Sequence, residues 1–273
     1  MAFASATTSP DMQKSYATGA LTARFDALRA EGRKALVCYI TAGHPAVARS
    51  LELLQGLERS GADVVEIGVP FSDPLADGPV IQESSQVAIS QGMTLNGCLA
   101  LIAHAKVSIP VVLFSYLNPI IAAGPDVLSR ARAAGVSGIL ATDLPVGADP
   151  EREKWLGESG LDFIRLVAPT TPANRMAEIS RNGGGFVYLI SRMGVTGEQT
   201  TVSAELPHTI ARLRSVTSLP VCVGFGISTP EQARNVSKLA DGVIVGSALV
   251  RAANSSVAEA LALVASMRKA MDE

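Results

Sequence analysis

Short apolar, β-branched runs recur along the chain from Ala35 onward. They are A-L-V-C-Y-I-T (35–41), D-V-V-E-I-G (63–68), I-P-V-V-L-F (109–114), S-G-I-L-A-T (137–142), D-F-I-R-L-V-A (162–168), G-F-V-Y-L-I (185–190), L-P-V-C-V-G-F (219–225) and D-G-V-I-V-G-S (241–247). These runs are nearly continuous rather than alternating, as expected of strands covered on both faces, and spacings of about 20 to 45 residues leave room for a helix between neighbours. Val47, Leu51, Leu54 and Leu57 share one face of such a helix, and Val257, Leu261, Val264 and Met267 form a second stripe. Gly61, Gly135 and Gly160 each stand just before a strand, where a left-handed helix end needs a residue without a Cβ. Pro110 and Pro220 open strands, where a missing N–H costs no interior ladder bond.

Eight β-α repeats can close as a barrel or stay open as a doubly wound sheet. No G-x-G-x-x-G follows the first strand, and no linker or charge block interrupts residues 25–270. The expected architecture is α/β, a single (β/α)8 TIM barrel over residues 21–273 with an extra N-terminal helix. Residues 1–20 are rich in Ala, Ser and Thr, without Arg or an apolar core, so they do not read as a secretory signal. They read as a flexible leader, with a truncated plastid-type transit sequence as the alternative.

The 273 residues are 48% apolar and 18% charged, an ordinary globular balance. Lys plus Arg number 23 against 25 for Asp plus Glu, which leaves no basic excess for nucleic acid. Cys38, Cys98 and Cys222 form neither a C-x-x-C pair nor a disulfide grid. No apolar run approaches the roughly 20 residues that span a bilayer. A soluble, cytoplasmic protein is expected, or a plastid one if the leader is part of a transit sequence.

In such barrels chemistry sits on the loops beyond the carboxyl ends of the strands. Period-two alternation in D-V-V-E-I-G-V-P turns Val64, Glu66 and Gly68 to one side, so Glu66 points into an apolar interior near its upper rim. Burial there raises a carboxyl pKa toward the range useful for proton transfer. The plainer alternative is a buried Glu paired with a base, for which Arg165 is the candidate. Asp77 lies eleven residues on, at the end of a loop rich in proline and aspartate. It is either a second working carboxylate at the pocket mouth or the cap of a helix starting near Pro79. Asp73, before Pro74, has a turn role. Glycine clusters after strands six, seven and eight suggest phosphate held by the N–H groups of Gly226, Gly246 and Ser247 at a helix amino end, against the alternative of plain tight turns.

His44, His104 and His208 are scattered with no metal-ligand spacing, and no Ser-His-Asp or Walker pattern is present. Lys34, Lys106 and Lys238 fall outside the strand ends that a Schiff-base aldolase would use. Proton transfer by carboxylates remains, which by itself reaches only a phosphate-sugar lyase or isomerase.

The chain resembles the tryptophan synthase alpha chain family in E-I-G-V-P-F-S-D-P-L-A-D-G-P-V-I-Q (Glu66–Gln82), Y-L-I-S-R-M-G-V-T-G (Tyr188–Gly197) and G-F-G-I-S (Gly224–Ser228). Supporting matches are I-T-A-G (Ile40–Gly43), S-Y-L-N-P (Ser115–Pro119) and V-G-S-A (Val245–Ala248), so the likeness covers about residues 21–271 in order. The resemblance implies retro-aldol cleavage of indole-3-glycerol phosphate to indole and glyceraldehyde 3-phosphate, without metal or organic cofactor. It implies Glu66 as general acid/base, protonating indole C3 and helping to remove the glycerol hydroxyl proton, with Asp77 hydrogen-bonded to the indole N–H. It also implies Tyr39, Phe114, Leu140, Leu166, Tyr188, Thr196 and Phe225 around indole and glycerol, and Gly197, Gly226, Gly246 and Ser247 on the phosphate. Asp73 and Thr196 would belong to loops that close over substrate and signal to a partner, with Gly194 and Gly197 supplying flexibility.

The implied partner is a pyridoxal-phosphate beta chain in an α2β2 complex, receiving indole through a tunnel; pyridoxal phosphate is expected only on that chain. His44 stands where many relatives have Asp, and the leader has no counterpart. A stand-alone lyase releasing free indole and a non-catalytic partner-activating subunit are the competing functions.

Overall fold

Whether a strand side chain faces the barrel interior or the surrounding helices is decided by alternation, and the apolar runs fill both positions. The computed structural model describes residues 19–190, 205–224 and 226–273. Its strands are β1 (Ala35–Thr41), β2 (Val64–Gly68), β3 (Val111–Ser115), β4 (Val136–Ala141), β5 (Asp162–Phe163), β6 (Arg165–Val167), β7 (Val187–Ile190), β8 (Val221–Gly224) and β9 (Gly242–Val245). The helices are α1 (Ala20–Ala30), α2 (Val47–Leu57), α3 (Pro79–Ser90), α4 (Leu95–Ala105), α5 (Leu117–Ala122), α6 (Val127–Ala133), α7 (Pro150–Gly157), α8 (Ala173–Arg181), α9 (Leu206–Arg214), α10 (Pro230–Ser237), α11 (Ser247–Ser255) and α12 (Val257–Asp272).

All paired strands are parallel, in the order β5-β4-β3-β2-β1-β9-β8-β7-β6. The two ends of that order are halves of one run, 162–167, broken at Ile164. β5 bonds β4 and β6 bonds β7, so the fifth of the eight expected strands closes the barrel by turning from one neighbour to the next. Ile164 N–H donates to the Ile139 carbonyl at 2.9 Å, and Gly184 N–H donates to the Phe163 carbonyl at 3.0 Å.

Val37, Tyr39, Val64, Val112, Phe114, Leu140, Cys222 and Ile244 pack inside the barrel, while Leu36, Cys38, Val65, Ile67, Leu113 and Val223 pack outward against the helices. The expected extra helix is α1. It covers the amino-terminal end of the barrel with Leu21, Phe25 and Leu28, and the Phe25 and Phe186 rings lie 5.7 Å apart. Gly138 admits it, because a Cβ there would meet Leu21 and Ile164 at 2.8 and 2.7 Å.

The helix-end glycines take left-handed φ as expected, +101° at Gly61, +100° at Gly135 and +77° at Gly160. Pro110 and Pro220 lie one residue before β3 and β8, and their carbonyls accept from Val65 N–H at 3.0 Å and Val187 N–H at 2.8 Å. One member of a predicted helix face departs: Val47, the first residue of α2, is 44% exposed, because the buried face begins with Ser50 and runs through Leu53, Leu54 and Leu57. Among the described residues, no single helix is long and apolar enough to cross a membrane.

Charge is concentrated at the amino-terminal end. Buried Asp63 accepts from Arg24 at 2.5 Å, from Arg268 at 3.1 Å and from the Leu36 N–H at 2.8 Å, joining α1, α12 and β1 at the foot of β2. A hollow of about 270 Å³ beside it is lined by Arg24, Arg33, Glu58 and Ser108. Glu58 there accepts from both the hydroxyl and the N–H of Ser108, so this hollow belongs to the structural network. Removing one partner of a buried ion pair strands the others. Asp63→Ala is therefore expected to cost about 3 kcal/mol, measured by urea unfolding, with part of the penalty relieved by solvent at Arg24.

Candidate active site

The opposite end gathers the chemistry. Glu66 lies in the middle of β2, register-paired with Tyr39 on β1 and Val112 on β3, and is fully buried. Among the described residues, neither of its carboxyl oxygens has a hydrogen-bond partner. The candidate pairing with Arg165 is not formed. Arg165 follows the inward-facing Ile164, so alternation turns it out of the barrel. There its guanidinium stacks 3.7 Å over the Phe163 ring and donates to Glu153 at 2.7 Å and to the Leu144 and Asn182 carbonyls at 3.0 Å each. With no counter-charge on it among the described residues, desolvation pushes the Glu66 carboxyl up to about 8.

Asp77 does not cap α3. Gly78 occupies the cap position, Pro79 opens the helix, and no side chain satisfies its first N–H groups. Instead Asp77 Oδ2 accepts from the Tyr116 hydroxyl at 3.0 Å, and that same hydroxyl accepts from the Ala76 N–H at 2.9 Å. Burial raises Asp77 to about 6, and the Tyr116 hydrogen bond opposes the rise by favouring the carboxylate. Tyr116 was absent from the expected site. It sits just past the end of β3, where site residues of this fold gather, and Phe71 packs beside its ring at 5.1 Å.

The expected apolar walls are brought together. Tyr39, Phe114, Leu140 and Tyr188 are buried inside the barrel, with Leu166 partly buried beside them. The Phe114 ring lies 5.3 Å from Tyr39 and 6.5 Å from Tyr188, both edge-on. Gly226 and Gly246 stand just beyond the adjacent strands β8 and β9. Gly226 has φ +82°, and Gly246 is the N-cap of α11, whose first residue is Ser247. The first-turn N–H groups of an α-helix have no partner within the helix and carry its positive dipole end, so α11 aims an anion-attracting terminus over the site.

Asp73 is exposed and accepts from Ser72 Oγ at 2.5 Å; its loop also carries Leu75, 91% exposed. Gly194, Thr196, Gly197 and Phe225 lie outside the described residues. Buried His44 is held below the usual histidine range by desolvation, against the opposing pull of Glu83. Among the described residues, no three His, Cys, Asp or Glu side chains converge as a metal site would require.

A family profile for the tryptophan synthase alpha chain matches residues 25–272. The chain belongs to that family. It is 48% identical over 231 residues to the tryptophan synthase alpha chain of Desulfatibacillum aliphaticivorans, covering 83% of this chain and 87% of that one. It is 46% identical over 257 residues to the one from Laribacter hongkongensis, covering 91% and 97%. Among solved structures, tryptophan synthase subunit alpha from Legionella pneumophila superposes with a TM-score of 0.84 at 35% identity, covering 94% of this chain and 99% of that one. Mycobacterium tuberculosis tryptophan synthase gives 0.85 at 35% identity, covering 92% and 97%. The family's alpha subunit is a carbon–carbon lyase acting on indole-3-glycerol phosphate, and it generally pairs with a beta chain.

The raised pKa of Glu66 carries a cost in stability. Because the folded chain holds this proton more tightly than the unfolded one, the cost is absent below the ordinary glutamate value of 4.5 and is complete once pH has risen through about 8. Glu66→Gln should therefore stabilise the fold by about 3 kcal/mol more near pH 8.5 than near pH 5.5, at about 1.4 kcal/mol per pKa unit. Paired denaturant curves at the two pH values measure the difference.

Proposed function

We propose that Glu66 and Asp77 divide the acid and base work of cleaving indole-3-glycerol phosphate to indole and glyceraldehyde 3-phosphate. The observation that carries this reading is the Glu66 carboxyl, unpartnered among the described residues inside an apolar barrel, with Asp77 held at its mouth by Tyr116. Between pH values of about 6 and 8 the first is an acid and the second a carboxylate. Glu66 protonates C3 of the indole ring, and Asp77 accepts from the indole N–H and balances the positive charge that develops on the ring. Glu66 then takes the proton of the side-chain hydroxyl on the carbon joined to C3. The bond between that carbon and C3 breaks, its electron pair returns to the ring, and the carbon leaves as an aldehyde. One proton enters and one leaves through the same carboxyl, so Glu66 returns to its starting state.

Tyr39, Phe114, Leu140, Leu166, Tyr188 and Phe225 surround the indole, with Thr196 at the glycerol. Gly197, Gly226, Gly246 and Ser247 hold the phosphate through backbone and hydroxyl donors. Closure of the loops bearing Asp73 and Thr196 excludes water. This chemistry needs no metal or organic cofactor, since carboxyl proton transfer accounts for each bond change. The indole passes to a beta chain carrying pyridoxal phosphate in an α2β2 complex. Exposed Leu75, and Ile121 at 37% exposure on α5, provide apolar docking points beside the mouth.

Indole release by the purified chain, with and without a tryptophan synthase beta chain, tests the reading. Slow cleavage that rises steeply with partner is the expected result; fast cleavage indifferent to the partner marks a stand-alone lyase, and none in either condition removes the catalytic assignment. Glu66→Gln should lower kcat by about 10³-fold or more. Tyr116→Phe should move the acid limb of the kcat/KM profile to higher pH, because Asp77 loses the bond that favours its ionised form.

A further inference from the structure

The loop that carries Asp77 is organised around one side chain from beyond the end of β3. Tyr116 is 5% exposed, and the loop engages it three times. The Phe71 ring packs 5.1 Å from its ring, the Ala76 N–H donates to its hydroxyl at 2.9 Å, and that hydroxyl donates to Asp77 Oδ2 at 3.0 Å. A tyrosine side chain has two torsions held in discrete wells, so a shift of its main chain is carried out to the hydroxyl. The bond to Asp77 therefore depends on where the Tyr116 backbone stands.

That backbone lies at a junction. Tyr116 is the N-cap residue of α5, in extended conformation, and its own side chain satisfies no N–H of the helix. The opening N–H groups of a helix lack partners within it. The first of them, on Leu117, donates to Asp143 Oδ1 at 2.7 Å, in the loop after β4. A carboxylate that accepts a backbone N–H makes a charge-assisted bond, stronger than its neutral equivalent. Asp143 is exposed, yet its main chain is held on both sides. Just past the last β3–β4 pair, Thr142 N–H donates to the Ser115 carbonyl at 2.9 Å, and the Leu144 carbonyl accepts from buried Arg165 at 3.0 Å. Arg165 is itself fixed by Glu153 at 2.7 Å. The buried cation that does not pair with Glu66 thus braces the turn that reaches toward the other carboxylate.

We propose that Asp143 is a positioning residue for Asp77: by holding the Leu117 N–H it keeps Tyr116 where its phenol donates to the Asp77 carboxylate. The proposal rests on the reading of Asp77 as the carboxylate that receives the indole N–H. Its route through Tyr116 gives it a distinctive sign. A second negative charge acting directly on Asp77 would raise the Asp77 pKa, so deleting that charge would lower it. Acting through Tyr116, Asp143 does the reverse, because its loss loosens a hydrogen bond that favours the ionised Asp77. Among the described residues, the Tyr39 and Tyr188 phenols also feel Asp77, from β1 and β7, but burial holds both above the ordinary tyrosine value and so uncharged as Asp77 titrates. From α3, Gln82 donates to the Asp77 carbonyl at 2.9 Å.

Asp143→Ala and Asp143→Asn test it together. The readout is the carboxyl-carbon NMR titration of Asp77 in the purified, substrate-free chain, assigned by its loss in Asp77→Asn. Asp143→Ala is expected to raise that titration by about one-half to one pH unit. Asp143→Asn keeps an oxygen for the Leu117 N–H without the charge and should not raise it. Leu117→Pro removes the donor instead, at a first helical position that suits proline after an extended residue, and should act like Asp143→Ala. In a Tyr116→Phe background, Asp143→Ala should add no rise. An unchanged or lowered titration in the folded Asp143→Ala or Leu117→Pro chain, an equal rise in Asp143→Asn, or a rise that persists without the Tyr116 hydroxyl overturns the proposal. Failure of the unsubstituted chain to cleave indole-3-glycerol phosphate would count against the proposed function, while the titration still decides the role of Asp143.

Discussion

A carboxyl left unpaired among the described residues, inside a closed apolar barrel, is the constraint around which the carboxyl end of this molecule is arranged. Glu66 could be stabilised by any nearby cation, but its acidity would then be tuned for pairing rather than for proton transfer. The barrel keeps Arg165 on the outside, where Glu153 and two carbonyls engage it, and surrounds Glu66 with aromatic and aliphatic side chains. Burial alone then sets its proton affinity. On the proposed reading of Glu66 as the acid, this is a destabilising choice tolerated for activity.

The two ends of the barrel follow opposite electrostatic rules. At the amino end, Asp63 is satisfied by two arginines and a backbone N–H, while α1 closes the interior with apolar side chains. At the carboxyl end, among the described residues, one carboxyl goes unpartnered, a second receives a tyrosine hydroxyl, and no side chain caps the helix N-terminus at Gly246. A barrel allows this division because strand ends on one side carry the loops for chemistry and those on the other can be given to stability.

How much of this could be read in advance depended on the range of the interaction. Strand positions were legible because burial on both faces leaves continuous apolar runs, and the inward turn of Glu66 followed from period two. The break at Ile164 was not, because it reflects which neighbour each half of the run bonds. The pairing of Arg165 failed for a similar reason: proximity in the strand list says nothing about the face unless the alternation is counted through Ile164. Asp77 as cap or working group stayed open from local sequence, since Asp and Gly both suit that position. Tyr116, 39 residues away, decided it through a contact no local pattern encodes.

The clasp at Asp63 also has a consequence for how the chain matures during synthesis. Arg24 and the Leu36 N–H are available early, but Arg268 lies 205 residues downstream of Asp63. Until α12 has left the ribosome, the aspartate at the foot of β2 lacks one of its two cations and the Lys34 carbonyl lacks the Arg268 donor that it accepts from at 2.9 Å. Early β-α units can collapse around their apolar faces before then, but the seam that α12 makes with the foot of β2 locks only after α12 has emerged. The same contact that seals the stable end thus makes the emergence of α12 a condition for the native fold.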